Sequence, residues 1–503
     1  MDVFFTYFIV SPIDAIYISS EGFINLIYKF MHTFIPHYEW VKVLSSVMKI
    51  CEKYMSLVPR IDEFLTISEL RESSLKFVRE NSDIAELLEL GVSRSGDPVE
   101  ALVIRGGEDK TVLAFGFPHP NEPVGSMTLE VLTRIFASNR DLLRETKATW
   151  IIVKAADLYG AKLNEGWFKG GFNVVKYALN YYRPPGYKQI EWSFPFEYKE
   201  LKFNNPTPET QALMNLIDEW KPTHIYSLHN AGFSGTYYYL TRDPGKQVLE
   251  VLYEVPKALG VPVHRGEPEA PYMKKLYEGV FLMPSTSEVY DWLEKYLGKP
   301  PVDVIRHGGS SYDYAKRVNP SVFELVSEVP YVYDDRLNND TPIGIPRREI
   351  LRISIRREEE LLKEISEEVE KIKPYMSLDN PFYESLINFL ETGVKHIQAE
   401  KKWIEEDPAL EESATVAQAF DAYTVPVFYG GLLRYGLLYR AILFEKNRSN
   451  FTINLQVVGD RAYSKIMELA SMFKKYSNYY VIEVDKLVKI QLASIVSTVL
   501  EIS

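Results

Sequence analysis

The chain has 503 residues, 46% of them hydrophobic and 25% charged, the proportions of a soluble globular protein with room for two or three domains. Its 69 acidic against 57 basic side chains leave a net charge of −12, which argues against a surface built to grip a nucleic-acid backbone. Cys51 is the only cysteine, so an intrachain disulfide and a thiolate metal site are both excluded, and a cytoplasmic location is expected.

The opening MDVFFTYFIVSPIDAIYI is apolar but lacks a basic leader, and Asp2, Pro12 and Asp14 interrupt it. It reads as a segment docked on the body or on a partner chain, not as a membrane span. Apolar residues then recur at helical spacing in VKVLSSVMKICEKYM and ISELRESSLKFVRE, which predicts two amphipathic helices. Strands follow at IAELLEL, VEALVIR and TVLAFGF, separated by the turns SRSGDP and GGEDK. Helix MTLEVLTRIFASN, strand TWIIVKA, helix ETQALMNLIDEW, strand THIYSLHNAG, helix EVYDWLEKYLG and the buried or edge strand SVFELVSEVPYVYDD continue the series. Such alternation predicts an α/β sheet with crossover helices.

From Arg347 the character changes. RREEELLKEISEEVEKIK reads as a helix with a solvated charged face, and INFLETGVKHIQAEKKWIEE and AYSKIMELASMFKKY as further helices. The aromatic, glycine-rich stretch AYTVPVFYGGLLRYGLLYRAIL reads as a helix-packing core, and the helical additions could support a homo-oligomer. The expected division is a helical segment 1–83, an α/β catalytic domain 84–374 and a mainly helical region 375–503.

Within residues 111–125, TVLAFGFPHPNEPVG, an apolar strand ends at His119, three prolines break regular structure, and Glu122 follows three residues later. Strand ends are where open α/β sheets hold ligands, and an imidazole with a carboxylate at this spacing can chelate zinc. Catalytic zinc takes a third protein group, and His229, closing the strand THIYSLHNAG, offers it. His224 begins that strand and reads as structural. His32, His37, His264 and His396 read as surface or packing histidines.

These residues resemble the zinc carboxypeptidases of the M14, carboxypeptidase A type. Gly91, Ser93 and Gly96 in LGVSRSGDPVEALVI are similar to that family's opening turn, and the likeness runs over roughly residues 84–374. It implies a mixed central sheet flanked by helices, zinc on His119, Glu122 and His229, and a downstream glutamate as general base. Glu324 and Glu328 share one face of a strand, and GGSSYDYA resembles the motif ahead of the base. Counting from Asp313 favours Glu328, with Glu324 the alternative. The family's Asn-Arg pair for a substrate carboxylate has no exact match here. Asn180 with Arg183 in LNYYRPPG is the preferred register, and Glu191, Trp192 and Ser193 in EWSFPF are the other. Lys169 is the nearest cation for the oxyanion, and Arg306, His307, Tyr312 or Tyr314 stand where the family's closing tyrosine is missing.

The resulting expectation is a zinc-dependent hydrolase of peptide or amide bonds acting on a peptide or amide substrate. A zinc deacylase of N-acyl amino acids, or a non-catalytic zinc-binding interaction module, are the alternatives.

Overall fold

The computed structural model describes residues 40–448 and 452–502, with side chains from residue 46 onward. The chain forms two compact units, Met1–Val47 and Met48–Ser503. Of the first, only helical backbone from residue 40 is described, so the opening apolar segment, His32 and His37 lie outside the described residues. The two expected N-terminal helices are Trp40–Ser56 and Ile67–Glu80. The second starts at Thr66, whose hydroxyl accepts from Glu69 N while the Glu69 carboxylate accepts from Thr66 N, a capping box.

One mixed sheet organises the second unit. Its strands are β1 (Ala85–Val92), β2 (Pro98–Arg105), β3 (Lys110–Gly116), β4 (Ala148–Val153), β5 (His224–Phe233), β6 (Tyr237–Leu240), β7 (Lys275–Tyr277), β8 (Val280–Leu282) and β9 (Phe323–Tyr333). They run in the order β1-β2-β4-β3-β5-β9-β6-β8-β7, and β10 (Tyr480–Val481) pairs with the end of β9. The centre, β4-β3-β5-β9, is parallel, while β2 and β6 join it antiparallel. This is the expected α/β architecture of a mixed sheet flanked by helices. The aromatic run YYYL, which has no alternating pattern, forms β6.

Strands β5 and β9 are buried at every residue because both faces of the sheet are covered. Pro330 lies inside β9, where a missing N–H would normally break a ladder. Here β6 pairs with β9 only as far as Glu328 and β10 begins at Val332, so Pro330 falls in the gap between them.

Helix α1 (Val124–Ser138) starts immediately after the HPNE turn and crosses β5 so closely that a Cβ at Gly125 would lie 2.4 Å from Leu228 O. Only glycine permits that approach. The last helices are α2 (Arg347–Ile372), α3 (Pro381–Glu406), α4 (Val416–Val425), a π-helix (Pro426–Leu433), α5 (Arg434–Asn447), α6 (Ile453–Tyr476) and α7 (Val484–Glu501). α2 buries Ile355, Leu361, Leu362, Ile365, Val369 and Ile372 along one face, together with Arg348, which pairs with Glu411. α7 packs against α1 and β9. No described helix is long and apolar enough to cross a membrane.

Candidate metal centre

β3 ends at Gly116, and the next residue, the fully buried Phe117, takes a left-handed backbone at φ 51°. Such a conformation costs a bulky residue about 1–2 kcal/mol, which the surrounding packing has to offset. It swings the chain into the turn that carries His119 and Glu122, closed by Glu122 N donating to His119 O at 3.1 Å. The turn is pinned from three sides. Tyr331 OH donates to Asn121 O at 2.8 Å, Asn121 Nδ2 donates to Tyr177 OH at 3.0 Å, and Val124 N donates to Asn230 Oδ1 at 3.0 Å. Asn230 stands next to His229 at the end of β5, so one side chain locks the two halves of the site together.

Among the described residues, His119, Glu122 and His229 form the one group of three that could hold a metal ion, their ligand atoms all within 4.8 Å of one another and all buried. Glu122 lies between the two imidazoles: its carboxylate is 3.1 Å from His119 Nδ1 and 3.0 Å from His229 Nδ1. On the far side of the His229 ring, Nε2 lies 2.8 Å from Ser227 Oγ, which donates to Glu191 Oε2 at 3.2 Å. If Nε2–H donates to that hydroxyl, Nδ1 turns a lone pair toward the carboxylate. With that tautomer, a buried Nδ1 without a hydrogen bond faces a carboxylate 3.0 Å away, an arrangement that a cation bound by both would satisfy. Donors about 3.4 Å apart are what bonds of zinc length in a tetrahedron require, so the residues fit such an ion.

The charge states agree with that fit. Burial, then the Arg183 guanidinium, drive the His119 imidazolium down to about 3, leaving the ring neutral. Burial works to raise Glu122, but His119 and His229 prevail and hold its carboxyl well below the usual range. Arg183 Nη1 lies 3.3 Å from Glu122 Oε1.

β9 runs parallel to β5 with Glu328 directly opposite His229, and Glu328 Oε1 is 3.6 Å from His229 Nδ1. Its Oε2 is buried without a hydrogen-bond partner. Burial, then the negative charges of Glu122 and Glu269, raise this carboxyl well above the ordinary value. Glu324 sits four residues earlier on the same strand and its nearest polar partner is Ser311, not the triad.

Ser311 Oγ lies 2.6 Å from Glu191 Oε1 and 2.7 Å from Glu324 Oε1. One hydroxyl proton serves one carboxylate, so the second contact needs a proton of its own. Burial raises both carboxyls, and the charge of Glu191 adds to burial in raising Glu324 well above its usual 4.5, so the folded pair holds a proton. Glu324→Gln is therefore expected to stabilise the protein at pH 7 and to do nothing at pH 4. An unfolded glutamate loses its proton near pH 4.5, whereas the folded one retains it, so folding must recover a proton and the cost grows as pH rises. A gain of about 1–3 kcal/mol at pH 7 is expected from denaturation series across this range. An equal effect at pH 4 and pH 7 would show that folding does not shift the Glu324 carboxyl, and a loss at pH 7 that shrinks toward pH 4 would show that it is ionised when folded.

The other residues named from the sequence are dispersed. Lys169 is engaged by Glu69 at 2.8 Å. Asn180 turns its amide back to Lys176 O at 2.9 Å. Tyr312 packs beside the aromatic cluster of Tyr237, Tyr239 and Phe281. Arg306 pairs with Glu391, His307 Nδ1 meets its neighbour's Gly308 O, and Tyr314 OH donates to Asp218. His264, read as a surface or packing histidine although Glu267 follows it by three residues, is buried 3.0 Å from Asp421, more than 150 residues downstream, while the Glu267 carboxylate pairs with Arg347. His224 is buried, with Nε2 3.1 Å from Ile502 O, in keeping with a structural role.

Two contributors carried no local signal. Tyr429, in the π-helix, accepts from Gly232 N at 2.9 Å and Phe233 N at 3.1 Å, and so anchors the strand end just beyond His229. A Cβ at Gly232 would lie 2.4 Å from Phe428 Cε1, so the glycine is what admits this helix. Glu269 accepts from Tyr237 OH and Tyr239 OH, both at 2.6 Å, close enough to Glu328 to influence its proton.

No family model matches the chain, and no curated protein matches its sequence. Among solved structures it is similar to a Shewanella amazonensis protein described as a metallopeptidase, with 15% identity, covering 52% of this chain and 84% of that one at a TM-score of 0.35. It is also similar to carboxypeptidase A from Helicoverpa armigera, with 13% identity over 62% of this chain and 78% of that one at a TM-score of 0.33. A third likeness is to bovine thrombin-activatable fibrinolysis inhibitor, with 11% identity, covering 52% and 86% of the two chains at a TM-score of 0.32.

Proposed function

We propose that the chain is a zinc-dependent hydrolase of peptide or amide bonds. The observation that carries this reading is the buried carboxylate of Glu122 between His119 and His229, with Glu328 3.6 Å from His229 Nδ1 on the neighbouring strand. His119, Glu122 and His229 are the residues that would hold the ion. Zinc bound by such a set lowers the pKa of water toward neutrality and polarises a carbonyl.

The protein's own groups do the rest. Glu328 takes the proton of the attacking water and returns it to the leaving amine, work suited to a carboxyl whose proton affinity burial has raised. Arg183, beside Glu122 and lining the adjoining cavity, offers a forked guanidinium to a substrate carboxylate, and Asn180 has no part in holding it. Lys169 is held away by Glu69, whereas Arg183 stands at the site itself, 3.3 Å from Glu122 and lining the cavity. Tyr429 and Asn230 keep the end of β5 fixed so that His229 does not drift. The cavity that Arg183, Tyr237 and Tyr429 line measures about 480 Å³, a volume that suits a small peptide.

Blocked dipeptides with free and amidated C-termini test the reading. Zinc-loaded protein is expected to hydrolyse the free acids at least about tenfold faster than the amides, because only the acids engage Arg183. Equal rates would exclude a carboxypeptidase while keeping the hydrolase. No hydrolysis of either series, with zinc present, would sink the proposal.

A further inference from the structure

The cavity next to the triad lies between the sheet and the late helices. Arg183 and Tyr237 line it on the sheet side, Glu269 on the loop between, and Glu358 of α2, Glu400 of α3 and Asp421 of α4 on the helical side. Its charges do not balance. Arg347 is taken by Glu267, His264 lies 3.0 Å from Asp421, Arg434 pairs with Glu358 at 2.9 Å, and Arg183 faces Glu122. Each basic side chain of the wall, Arg183, His264 and Arg347, thus faces a carboxylate, and Arg434, outside the wall, is held by Glu358.

Two carboxylates remain without a cation. Glu269 has only the two tyrosine hydroxyls, and Glu400 has no hydrogen bond or ion pair among the described residues. Burial, then the charge of Glu358, push the Glu400 carboxyl up to about 8, the mark of a carboxylate lacking its counter-ion. A third acceptor is also open: Asp421 is only 3% exposed, and its Oδ1 has no hydrogen-bond partner. Glu358 and Glu400 further line a second cavity of about 390 Å³, so the acidic pair borders both spaces.

A neutral or anionic side chain entering here would leave these acceptors unpaired, at a cost greater than the apolar lining could offset. An ammonium or guanidinium would satisfy them. We propose that this cavity is the subsite for a cationic side chain of the substrate, with Glu400 as its principal partner and Glu269 the carboxylate nearer the triad. The proposal rests on the hydrolase reading for the word substrate, although cation binding itself does not require turnover.

The probes are N-acetylglycyl-arginine and N-acetylglycyl-lysine, against N-acetylglycyl-citrulline and N-acetylglycyl-norleucine, which keep length and lose charge. Calorimetry on full-length, zinc-loaded Glu328→Gln protein reads binding, and the wild type reads hydrolysis. The charged peptides are expected to bind at least about tenfold tighter than their neutral counterparts. Glu400→Gln is expected to abolish that preference and leave citrulline binding unchanged, and Glu269→Gln to reduce it, so that misfolding of one variant leaves the other decisive. A stronger response of arginine than lysine would assign a guanidinium, the reverse an ammonium. Equal binding of charged and neutral peptides, or a preference untouched by both variants, would overturn the subsite even if all four are hydrolysed. A preference that persists with no hydrolysis of any peptide would retain the subsite and remove the hydrolase reading instead.

Discussion

Glu328→Gln is expected to retain zinc and fold while losing about 10²- to 10⁴-fold in turnover, the range a positioned general base contributes. The substitution preserves shape and removes only the capacity to accept a proton. Nothing structural depends on the lost charge, because Oε2 has no hydrogen-bond partner and the neighbours Glu122 and Glu269 are themselves acidic. The metal-free variant should be at least as stable as the wild type at neutral pH, since a buried carboxyl raised above its ordinary value opposes folding as pH rises past 4.5. Loss in kcat with KM little changed would identify a transition-state role. Unchanged turnover would remove Glu328 from the chemistry and return attention to Glu324.

Glu122→Gln should act through the metal instead. It keeps the size of the side chain but takes away the negative charge between the two imidazoles, and zinc affinity is expected to fall by more than about 100-fold. The metal-free variant should also be less stable at pH 7 by about 1–3 kcal/mol, because the partly exposed Arg183 loses its carboxylate partner. Here the sign is opposite to that at Glu324. The folded Glu122 carboxyl is held below its ordinary 4.5, so its contribution is present above that pH and is lost as pH falls through the folded value. Zinc affinity by competition with a chelator and denaturation of metal-free protein at pH 7 and pH 4 measure the two effects. Undiminished zinc binding would mean that Glu122 is not a ligand.

The triad was legible because His119, Glu122 and His229 each follow or close an apolar run in the sequence, and such a run is a local pattern. His119 and Glu122 share one turn just after β3, whereas His229 lies within β5, which continues past the expected end to Phe233. The parallel centre of the sheet followed from strand and helix alternation. The register that sets Glu328 against His229 did not, since two strands almost a hundred residues apart can pair in several ways and only packing selects one. Arg183 entered through a resemblance, and its partner Asn180 did so on the same ground, yet the helix end that carries Asn180 turns its amide inward to Lys176.

The acidic cavity was illegible for a different reason. Glu400 belongs to a charged helical pattern that, by itself, describes a solvated face, and Glu269 lies in a loop with no periodicity. Tyr429 stands in a stretch whose apolar density suggests only helix packing. Each acquires its meaning from a partner far away in the chain: Glu400 from Glu358, Glu269 from two tyrosines of β6, and Tyr429 from the backbone after His229. Such relations depend on tertiary contact and leave no trace in spacing.

The most direct test of the central claim is zinc titration of chelator-stripped protein, with bound metal measured per chain and dipeptide hydrolysis followed at each step. One zinc per chain, with hydrolysis returning in proportion to occupancy, is the predicted result. Protein that takes up no zinc, or that hydrolyses peptides equally well when stripped, would contradict it.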